Sequence, residues 1–275
     1  MTLMRVSSFA ALAAPALIVL ALFFVLPVAA IFVDASTGGG SAFARVFALP
    51  RFWNSLAGSA LLTFVAVTIS TSIGVAVALH LSRLEPQRRT LLAFAIALPL
   101  TFSGLIVAYG FILTYGRAGF VTQLLAMAGF DAAVIGKAIF TPAGLAFASS
   151  YYLIPRVVMS LLPVFVNFDR GQLAAAESLG ATPRQAFVHV MLPHIAAPVI
   201  GSACLIGAVV FGAYGTALAL VGTNLDILPL QLYTLISDSG SDFPAAAALA
   251  LLITATCSTI MIAGEWMGSR HEKHL

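Results

Sequence analysis

Long apolar runs separated by short polar stretches dominate this sequence. An α-helix needs about 20 predominantly apolar residues to cross the hydrocarbon core of a bilayer, and several runs reach that length. Six apolar runs can be drawn, at approximately residues 8–33, 55–81, 90–115, 143–165, 194–221 and 244–265. The pattern predicts an all-α, polytopic membrane protein with six transmembrane helices. The first run exceeds the apolar core of about 7–15 residues in a secretory signal, so it is predicted to be a span.

Composition indicates the same class of protein. Hydrophobic residues make up 61% of the 275 residues and charged residues only 8%, against about 25% charged in a soluble domain. Cys204 and Cys257 fall within apolar runs, where cysteine behaves as a small hydrophobe, so neither a disulfide nor a metal site is predicted. His80, His189 and His194 do not cluster as metal ligands would. The Lys and Arg residues are scattered, so no nucleic-acid partner is expected.

The distribution of Lys and Arg predicts that both termini face the cytoplasm, because cytoplasmic loops carry more of these residues. The cations predicted inside are Arg5, Arg83, Arg88, Arg89, Arg170, Arg184, Arg270 and Lys273. Those predicted outside are Arg45, Arg51, Arg117 and Lys137. The outer loop 222–243 contains three aspartates and no cation.

The outer connection 116–142 is long enough for a short amphipathic helix. Residues 1–54 are predicted to form an N-terminal span and loop, 55–265 the core, and 266–275 a cytoplasmic tail.

The only sizeable connection predicted on the cytoplasmic side is 166–193, which contains AAAESLGATPRQAFVHVMLP. Residues 169–172 have the spacing of a capping box, and an Ala-rich run of high helix propensity follows. Gly180 stands where a helix ends in the left-handed conformation. Residues 182–185 form a second capping box, with proline at the first helical position. The connection is therefore predicted to be a helix, a tight glycine turn and a second helix.

The second helix of this connection has apolar residues at helical spacing, at Ala186, Phe187, Val190 and Met191. Pro193 is expected to end the unit before the fifth span. An ordinary structured loop is one interpretation. A short helix with exposed apolar residues also suits a knob that inserts into a partner's groove.

At this point the residues resemble a known family. The stretch is similar to the EAA loop of inner-membrane permease subunits of ATP-binding-cassette (ABC) importers. That pattern has an acid-Ala-Ala run, a Gly four residues after the second Ala and an aliphatic-x-Leu-Pro ending. The matching residues are Ala175, Ala176, Gly180, Val190, Leu192 and Pro193. The sequence departs from the pattern at Ala174, where the family usually has Glu, and Glu177 is offset by three residues.

The resemblance covers about residues 55–262 and implies the type I importer permease fold in a bacterial inner membrane. It implies that the loop is a coupling helix that docks into a cytoplasmic ATPase. The residues implied in coupling are Ala175, Ala176, Glu177, Gly180, Thr182, Pro183, Arg184, Gln185, Phe187, Leu192 and Pro193. The implied partners are two cytoplasmic ATP-binding subunits, a second permease (identical or a sister chain) and a periplasmic solute-binding protein.

The chain contains no G-x-x-x-x-G-K-[ST] motif, and Gly136-Lys137-Ala138 does not fit it. We therefore expect that this chain is not an enzyme and binds no cofactor. ATP and Mg²⁺ are expected on the partner subunits. A purely structural membrane protein would have no reason to build a capped cytoplasmic knob.

Polar groups within the spans are candidates for a translocation path. Arg156 is the only Lys or Arg deep in an apolar run. It could face the path and attract an anionic group, pair with an acid such as Asp169 or Glu177, or extend toward the cytoplasm. Pro99 and Gly104 interrupt the third span, and broken helices can present free backbone groups to a cavity.

The candidates for the path are Thr101, Ser103, Tyr109, Tyr152, Arg156 and Tyr214. The alternative for the hydroxyl-bearing residues is that they lie at packing kinks and satisfy their own hydrogen bonds. Tyr152 could instead belong to an aromatic girdle with Tyr151.

The sequence narrows the class of transported substrate only slightly. The outer segment GTNLDILPLQLYTLISD resembles the corresponding part of permeases for polyamines, ferric iron, thiamine and phosphonate, through Leu228, Pro229 and Tyr233. Its acids could also contact a binding protein.

The alternative function is an ion-coupled secondary transporter, which predicts an inverted repeat and acids within the spans; no convincing repeat is present. A membrane-embedded enzyme would need a catalytic motif such as H-E-x-x-H, which the sequence lacks.

Overall fold

The computed structural model of this chain describes residues 13–37, 39–237 and 242–272, with side chains as far as Gly268. Every regular element within these ranges is a helix. The elements in chain order are α1 (Ala13–Ser36), α2 (Ser41–Ala48), α3 (Pro50–Ser82), α4 (Pro86–Ala97), α5 (Gly104–Tyr115), α6 (Phe120–Met127), α7 (Ala132–Ala138), α8 (Pro142–Asn167), α9 (Gly171–Ser178), α10 (Pro183–Phe211), α11 (Gly215–Val221), α12 (Leu228–Ser237) and α13 (Phe243–Glu272).

Six stretches of the described residues are long and apolar enough to cross a membrane, as predicted. They are α1, α3, the stretch Gly104–Met127 that contains α5 and α6, α8, α10 and α13 up to Gly268. The chain is thus an all-α polytopic membrane protein. Its exposed surface is rich in large apolar side chains, particularly along α1, because this surface faces lipid and not water.

Helix α8 lies at the centre of the bundle. Over half of its most apolar stretch is buried, whereas none of the corresponding stretch of α1 is. It packs against α3 and α10, and α10 packs in turn against α13. The largest core cluster joins α8 to α3 and α10 through Leu153, Val157, Leu161, Ala78 and Ile206. Burial on several sides fixes α8 most firmly, so polar groups on it are held in defined places.

Small residues allow the central helices to approach closely. At Gly74 of α3, an added Cβ would lie 2.5 Å from the side chain of Val157 on α8. The hydroxyls of Ser70 and Ser150 form a hydrogen bond of 3.5 Å across the same pair of helices. In lipid, close packing and such interhelical bonds drive association, because the surrounding tails are as apolar as the side chains.

Different polar contacts mark the two ends of the bundle. At one end, the turn after α3 lies beside the segment between α8 and α10, where the Arg170 guanidinium donates to the Ser82 carbonyl over 3.3 Å. We call residues 168–191 the elbow and this end the elbow end. At the far end, Arg45 pairs with Asp242 at 3.0 Å.

The structure corrects several predicted boundaries. The run 90–115 is not one helix: α4 ends at Ala97, a 3₁₀ turn spans Leu98–Thr101, and α5 starts at Gly104, where an interruption was predicted. The run 194–221 divides, because α10 ends at Phe211 and α11 begins at Gly215. The connection 116–142 contains two short helices, α6 and α7, instead of one. Of the first run, residues 8–12 lie outside the described residues.

Candidate functional site

The elbow begins with a turn that differs from the prediction. The predicted capping box at 169–172 is absent, because α9 starts at Gly171 with no side-chain cap. The Asp169 carboxylate instead accepts a hydrogen bond of 2.8 Å from the Gly171 amide, two residues on. Aspartate commonly makes this local turn. It leaves Asp169 one residue too early to cap the helix.

The glycine turn of the elbow is confirmed. Gly180 has φ +92, a conformation that glycine adopts without the steric penalty of a Cβ. The Ala181 amide donates to the Ala176 carbonyl at 3.1 Å and the Gly180 amide to the Glu177 carbonyl at 3.0 Å. This pair of bonds is the Schellman motif, which closes the C-terminus of a helix. Helix α9 therefore ends where its sequence predicts.

The second capping box is also confirmed. The Thr182 hydroxyl accepts from the Gln185 amide at 3.3 Å, and the Gln185 side chain accepts from the Thr182 amide at 2.9 Å. Pro183 occupies the first turn of α10, where its missing N–H removes no hydrogen bond. The residues that end α9, form the turn and start α10 thus lie within the six positions 180–185.

Pro193 does not end the unit, which corrects the prediction. Helix α10 runs without interruption from Pro183 to Phe211 and carries the elbow directly into the fifth span. A π-helical turn spans Phe187–Met191, with the Leu192 amide bonded to the Phe187 carbonyl. Proline has no N–H to give to the residue four positions earlier, and the wider turn accommodates it. The second helix of the elbow is therefore continuous with the fifth span.

The apolar residues of the elbow face two ways. Ala186 and Met191 are buried, and Met191 belongs to the core cluster of the bundle. Phe187 is partly exposed, and Leu179 is 88% exposed at the tip of the turn. The other implied coupling residues that are exposed are Ala175, Glu177, Gly180, Thr182, Pro183, Arg184, Gln185 and Leu192. The sequence analysis did not identify Leu179. An apolar residue directly before a turn glycine could have indicated an exposed contact residue.

A second candidate site is a cavity of about 370 Å³ within the bundle. It lies where the break between α4 and α5 meets α8, α10 and α11. Its lining residues are Leu100, Phe102, Ser103, Gly104, Leu105, Tyr152, Arg156, Val209, Ala213, Gly215 and Thr216. We call it the Arg156 cavity, after the one charged side chain among these residues.

The structure brings together three of the six residues predicted for the path. Ser103, Tyr152 and Arg156 line the Arg156 cavity. Thr101 does not line it, because its hydroxyl bonds to the Leu98 carbonyl at 2.7 Å within the 3₁₀ turn. Tyr109 and Tyr214 also lie elsewhere.

Tyr214 lines a separate apolar cavity of about 350 Å³, with its ring centroid 5.6 Å from that of Tyr233. Tyr109 is 56% exposed on the surface of α5. Sequence reasoning missed Thr216, because a lone threonine in a run of small apolar residues is typical of packing.

Arg156 makes no ion pair or hydrogen bond within the described residues. The ion pairs formed there join Arg45 to Asp242 and Arg51 to Asp226. The predicted alternative, pairing with Asp169 or Glu177, is therefore not formed. A guanidinium stays protonated in proteins, so the cavity holds an uncompensated positive charge.

Two acids of the loop 222–243, Asp226 and Asp242, are engaged by this chain itself at the far end, and Asp238 lies outside the described residues. Two hydrogen bonds of 3.0 Å join the Arg45 guanidinium to both oxygens of Asp242. The Ala245 amide donates to the same carboxylate at 3.0 Å. The hydrogen bonds from Arg45 and then from Ala245 hold the pKa of Asp242 below its usual value of 3.8. These acids clamp the outer loop to the segments that carry α2 and the start of α3.

Comparison with known proteins gives the family. Residues 74–274 match the model of the family described as the binding-protein-dependent transport system inner membrane component. The chain belongs to this family, which provides the permease subunits of ABC importers. Its members are transport components and not catalytic enzymes. The assignment also selects the importer over the ion-coupled transporter that the sequence left as an alternative.

Individual relatives differ in the solutes that their names give. Sulfate permease 2 of the Chlamydomonas reinhardtii chloroplast is 31% identical over 228 residues, covering 82% of this chain and 60% of that protein. The sulfate permease CysW of Synechocystis is 28% identical and covers 87% of this chain and 88% of its own length. The spermidine/putrescine permease PotB of Haemophilus influenzae is 31% identical over 154 residues, covering 56% of this chain and 52% of its own.

A solved structure confirms the fold. A chain of a bacterial alginate ABC transporter, crystallised with an alginate pentasaccharide-bound periplasmic protein, superposes with a TM-score of 0.73. The match covers 97% of this chain and 95% of that chain, at 17% sequence identity. The fold is therefore that of an ABC importer permease.

Proposed function

We propose that this permease transmits the movement of two cytoplasmic ATPases to its membrane helices through the elbow. In this proposal both termini and the elbow end face the cytoplasm, as the distribution of Lys and Arg favours. The ATPases would bind ATP and Mg²⁺. A second permease, identical or a sister chain, would complete the path, and a periplasmic solute-binding protein would dock at the far end.

The observation that carries this proposal is the exposed Leu179 on a rigid elbow. A leucine that is 88% exposed costs free energy in water, and burying it contributes about 1.5–3 kcal/mol. The Schellman turn and the capping box hold it in one position, so little entropy is lost on docking. An apolar tip on a preorganised turn fits a groove of a partner protein.

The continuity of α10 explains how docking could move the membrane part. Because one helix runs from Pro183 to Phe211, a push on the elbow displaces the inner end of the fifth span as a rigid body. That helix also contributes Val209 to the Arg156 cavity. Helix α10 therefore joins the proposed ATPase contact to the proposed path.

The test is co-purification of the tagged permease in mild detergent, with ATPases in the eluate identified by mass spectrometry through their nucleotide-binding motif. We expect Leu179→Glu to lower the recovered ATPase about tenfold or more, since a buried leucine contributes at least the 1.4 kcal/mol of a tenfold change. The matched control is Met127→Glu. Met127 is 87% exposed, equally apolar, and lies at the end of α6, where the apolar stretch Gly104–Met127 ends, on an element separate from the elbow.

Two results would contradict the proposal. One is undiminished ATPase recovery with Leu179→Glu in a folded permease, judged by a monodisperse elution profile. The other is an equal loss with Met127→Glu, because that would show a general effect of an added acid and not a contact at the elbow.

A further inference from the structure

Arg156 lies deep within its span. At 1.5 Å per residue, it is about 17 Å from the end of α8 at Asn167 and about 21 Å from its start at Pro142. Either distance exceeds the length of an arginine side chain, so the guanidinium does not reach the aqueous end of the helix. A charge at this depth is costly unless it faces protein or a water-filled cavity. Here it lines a cavity, without a carboxylate beside it.

The other polar groups around the cavity are hydrogen-bond donors without partners. Thr216 is only 2% exposed, and its hydroxyl makes no hydrogen bond within the described residues. The Tyr152 hydroxyl is likewise unbonded. The Ser103 hydroxyl accepts from the Ile106 amide at 3.4 Å, which leaves its own proton free to donate. These hydroxyls are therefore free to donate to a solute or to water in the cavity.

The start of α5 adds two further donors. Helix α5 is 12 residues long, and Gly104 and Leu105, which open it, both line the cavity. Their backbone amides have no hydrogen-bond partner within the described residues. The first amides of a helix carry a partial positive charge that favours anions. Gly104 allows this approach, because an added Cβ would overlap the Thr216 hydroxyl.

We infer that the Arg156 cavity selects small anions on the translocation path, with a tetrahedral oxyanion such as sulfate as the class of solute. This inference rests on the proposed permease function and adds the substrate class to it. Arg156 supplies the charge, and Ser103, Tyr152 and Thr216 supply neutral donors. None of the eleven lining residues is acidic, so a polyamine would meet an uncompensated like charge. The structure thus favours an anionic solute, such as that named for the sulfate permeases, over a cationic one, such as those named for the spermidine/putrescine permease.

The first test measures the electrostatics of the cavity directly and needs no partner subunit. In a background with Cys204→Ala and Cys257→Ala, Ser103→Cys is labelled in membrane vesicles with an anionic or a cationic methanethiosulfonate. We expect the anionic reagent to react faster, relative to a free thiol in solution. Arg156→Gln should lower the anionic-to-cationic rate ratio by about threefold or more, because one unit charge nearby is removed. Arg156→Lys should preserve it.

The matched control is Tyr214→Cys, which lies in the other cavity. Its rate ratio should be unaffected by Arg156→Gln. An unchanged ratio at Ser103→Cys, or a failure of that thiol to react with either reagent, would overturn the inference.

The second test uses the assembled transporter with its ATPases and binding protein in vesicles, and follows ATP-driven uptake of radiolabelled sulfate and of spermidine. We expect sulfate uptake, lowered about tenfold or more by Arg156→Gln, since removing one partner of a buried charged contact is costly. ATPase recovery should be unchanged, which separates this outcome from a failure at the elbow. Arg88→Gln, at an exposed arginine in the first turn of α4, is the control.

Spermidine uptake, or sulfate uptake indifferent to Arg156→Gln, would contradict the anion assignment while leaving the elbow proposal intact. If the vesicles take up neither solute, the anionic-to-cationic labelling ratio at Ser103→Cys decides whether the anion assignment stands. That ratio reports the charge of the cavity whatever solute is carried.

Discussion

The elbow and the Arg156 cavity are built in opposite ways. The hydrogen bonds of the glycine turn and the capping box join residues no more than five positions apart. The cavity is lined by three distant stretches, 100–105, 152–156 and 209–216. The tip of the elbow is exposed at Leu179, whereas the cavity lies between helices, with Thr216 buried and Ser103 exposed in its wall.

This difference determines how each region responds to change. A local turn keeps its shape whatever happens in the bundle, so substitutions there should act through one or two hydrogen bonds. The cavity exists only because several helices hold their positions, so a single added methyl group can move its walls.

The largest effect is expected for Gly104→Ala in the wall of the cavity. The added Cβ would overlap the hydroxyl of Thr216, which is buried, so one of the two must shift. Such overpacking typically costs about 1–3 kcal/mol. The control is Gly110→Ala on the same helix, where an added Cβ meets nothing within 4 Å. Unfolding in detergent should show a loss for Gly104→Ala and a neutral or stabilising change for Gly110→Ala, since alanine favours helix. Equal stabilities would show that the wall yields.

The next effect is expected for Gly180→Val in the elbow. At φ +92 no neighbouring atom would meet an added Cβ within 4 Å, so the cost is conformational only, about 1–2 kcal/mol. We expect the permease to fold and the turn to shift, which should raise the ATP hydrolysed per solute transported. Gly180→Asn is the control, because asparagine tolerates the left-handed conformation. Unchanged coupling with Gly180→Val would show that the turn geometry is unimportant for coupling.

A smaller effect is expected for Thr182→Ala, which removes one half of the capping box. Loss of a side-chain cap costs about 1 kcal/mol. Hydrogen exchange of the amides at 184–187 should therefore become roughly fivefold faster, with no change in α8. Thr182→Ser keeps the hydroxyl and should retain the slow exchange. Equal exchange in both variants would indicate that docking against the bundle, and not the cap, holds the start of α10.

The same difference explains what could be predicted from the sequence. Apolar runs of sufficient length determine the spans, and Gly180 and residues 182–185 carry their structure in local chemistry. The division of the run 194–221 could not be foreseen, because apolar residues continue through Gly212. The role of Thr216 depends on α11 packing against α5, which no local pattern records. Arg156 could be singled out from the sequence because a charge in an apolar run is rare. That no acid pairs with it depends on the tertiary structure, which the sequence pattern does not show.

The Arg45–Asp242 pair tests whether sequence separation or burial sets these magnitudes. The two residues are 197 positions apart, farther than any two residues that line the cavity, yet their side chains are 47% and 37% exposed. An exposed pair contributes about 0–1 kcal/mol. Because the pKa of Asp242 is lowered in the folded chain, its contribution is present above the usual value of 3.8 and is lost as the pH falls below it. Stability in detergent measured from acidic to neutral pH should show a loss on acidification that Arg45→Gln reduces, with Arg51→Gln as the control. The change should be smaller than that of Gly104→Ala. An equal or larger change would mean that distant pairing itself, and not burial, makes the cavity sensitive.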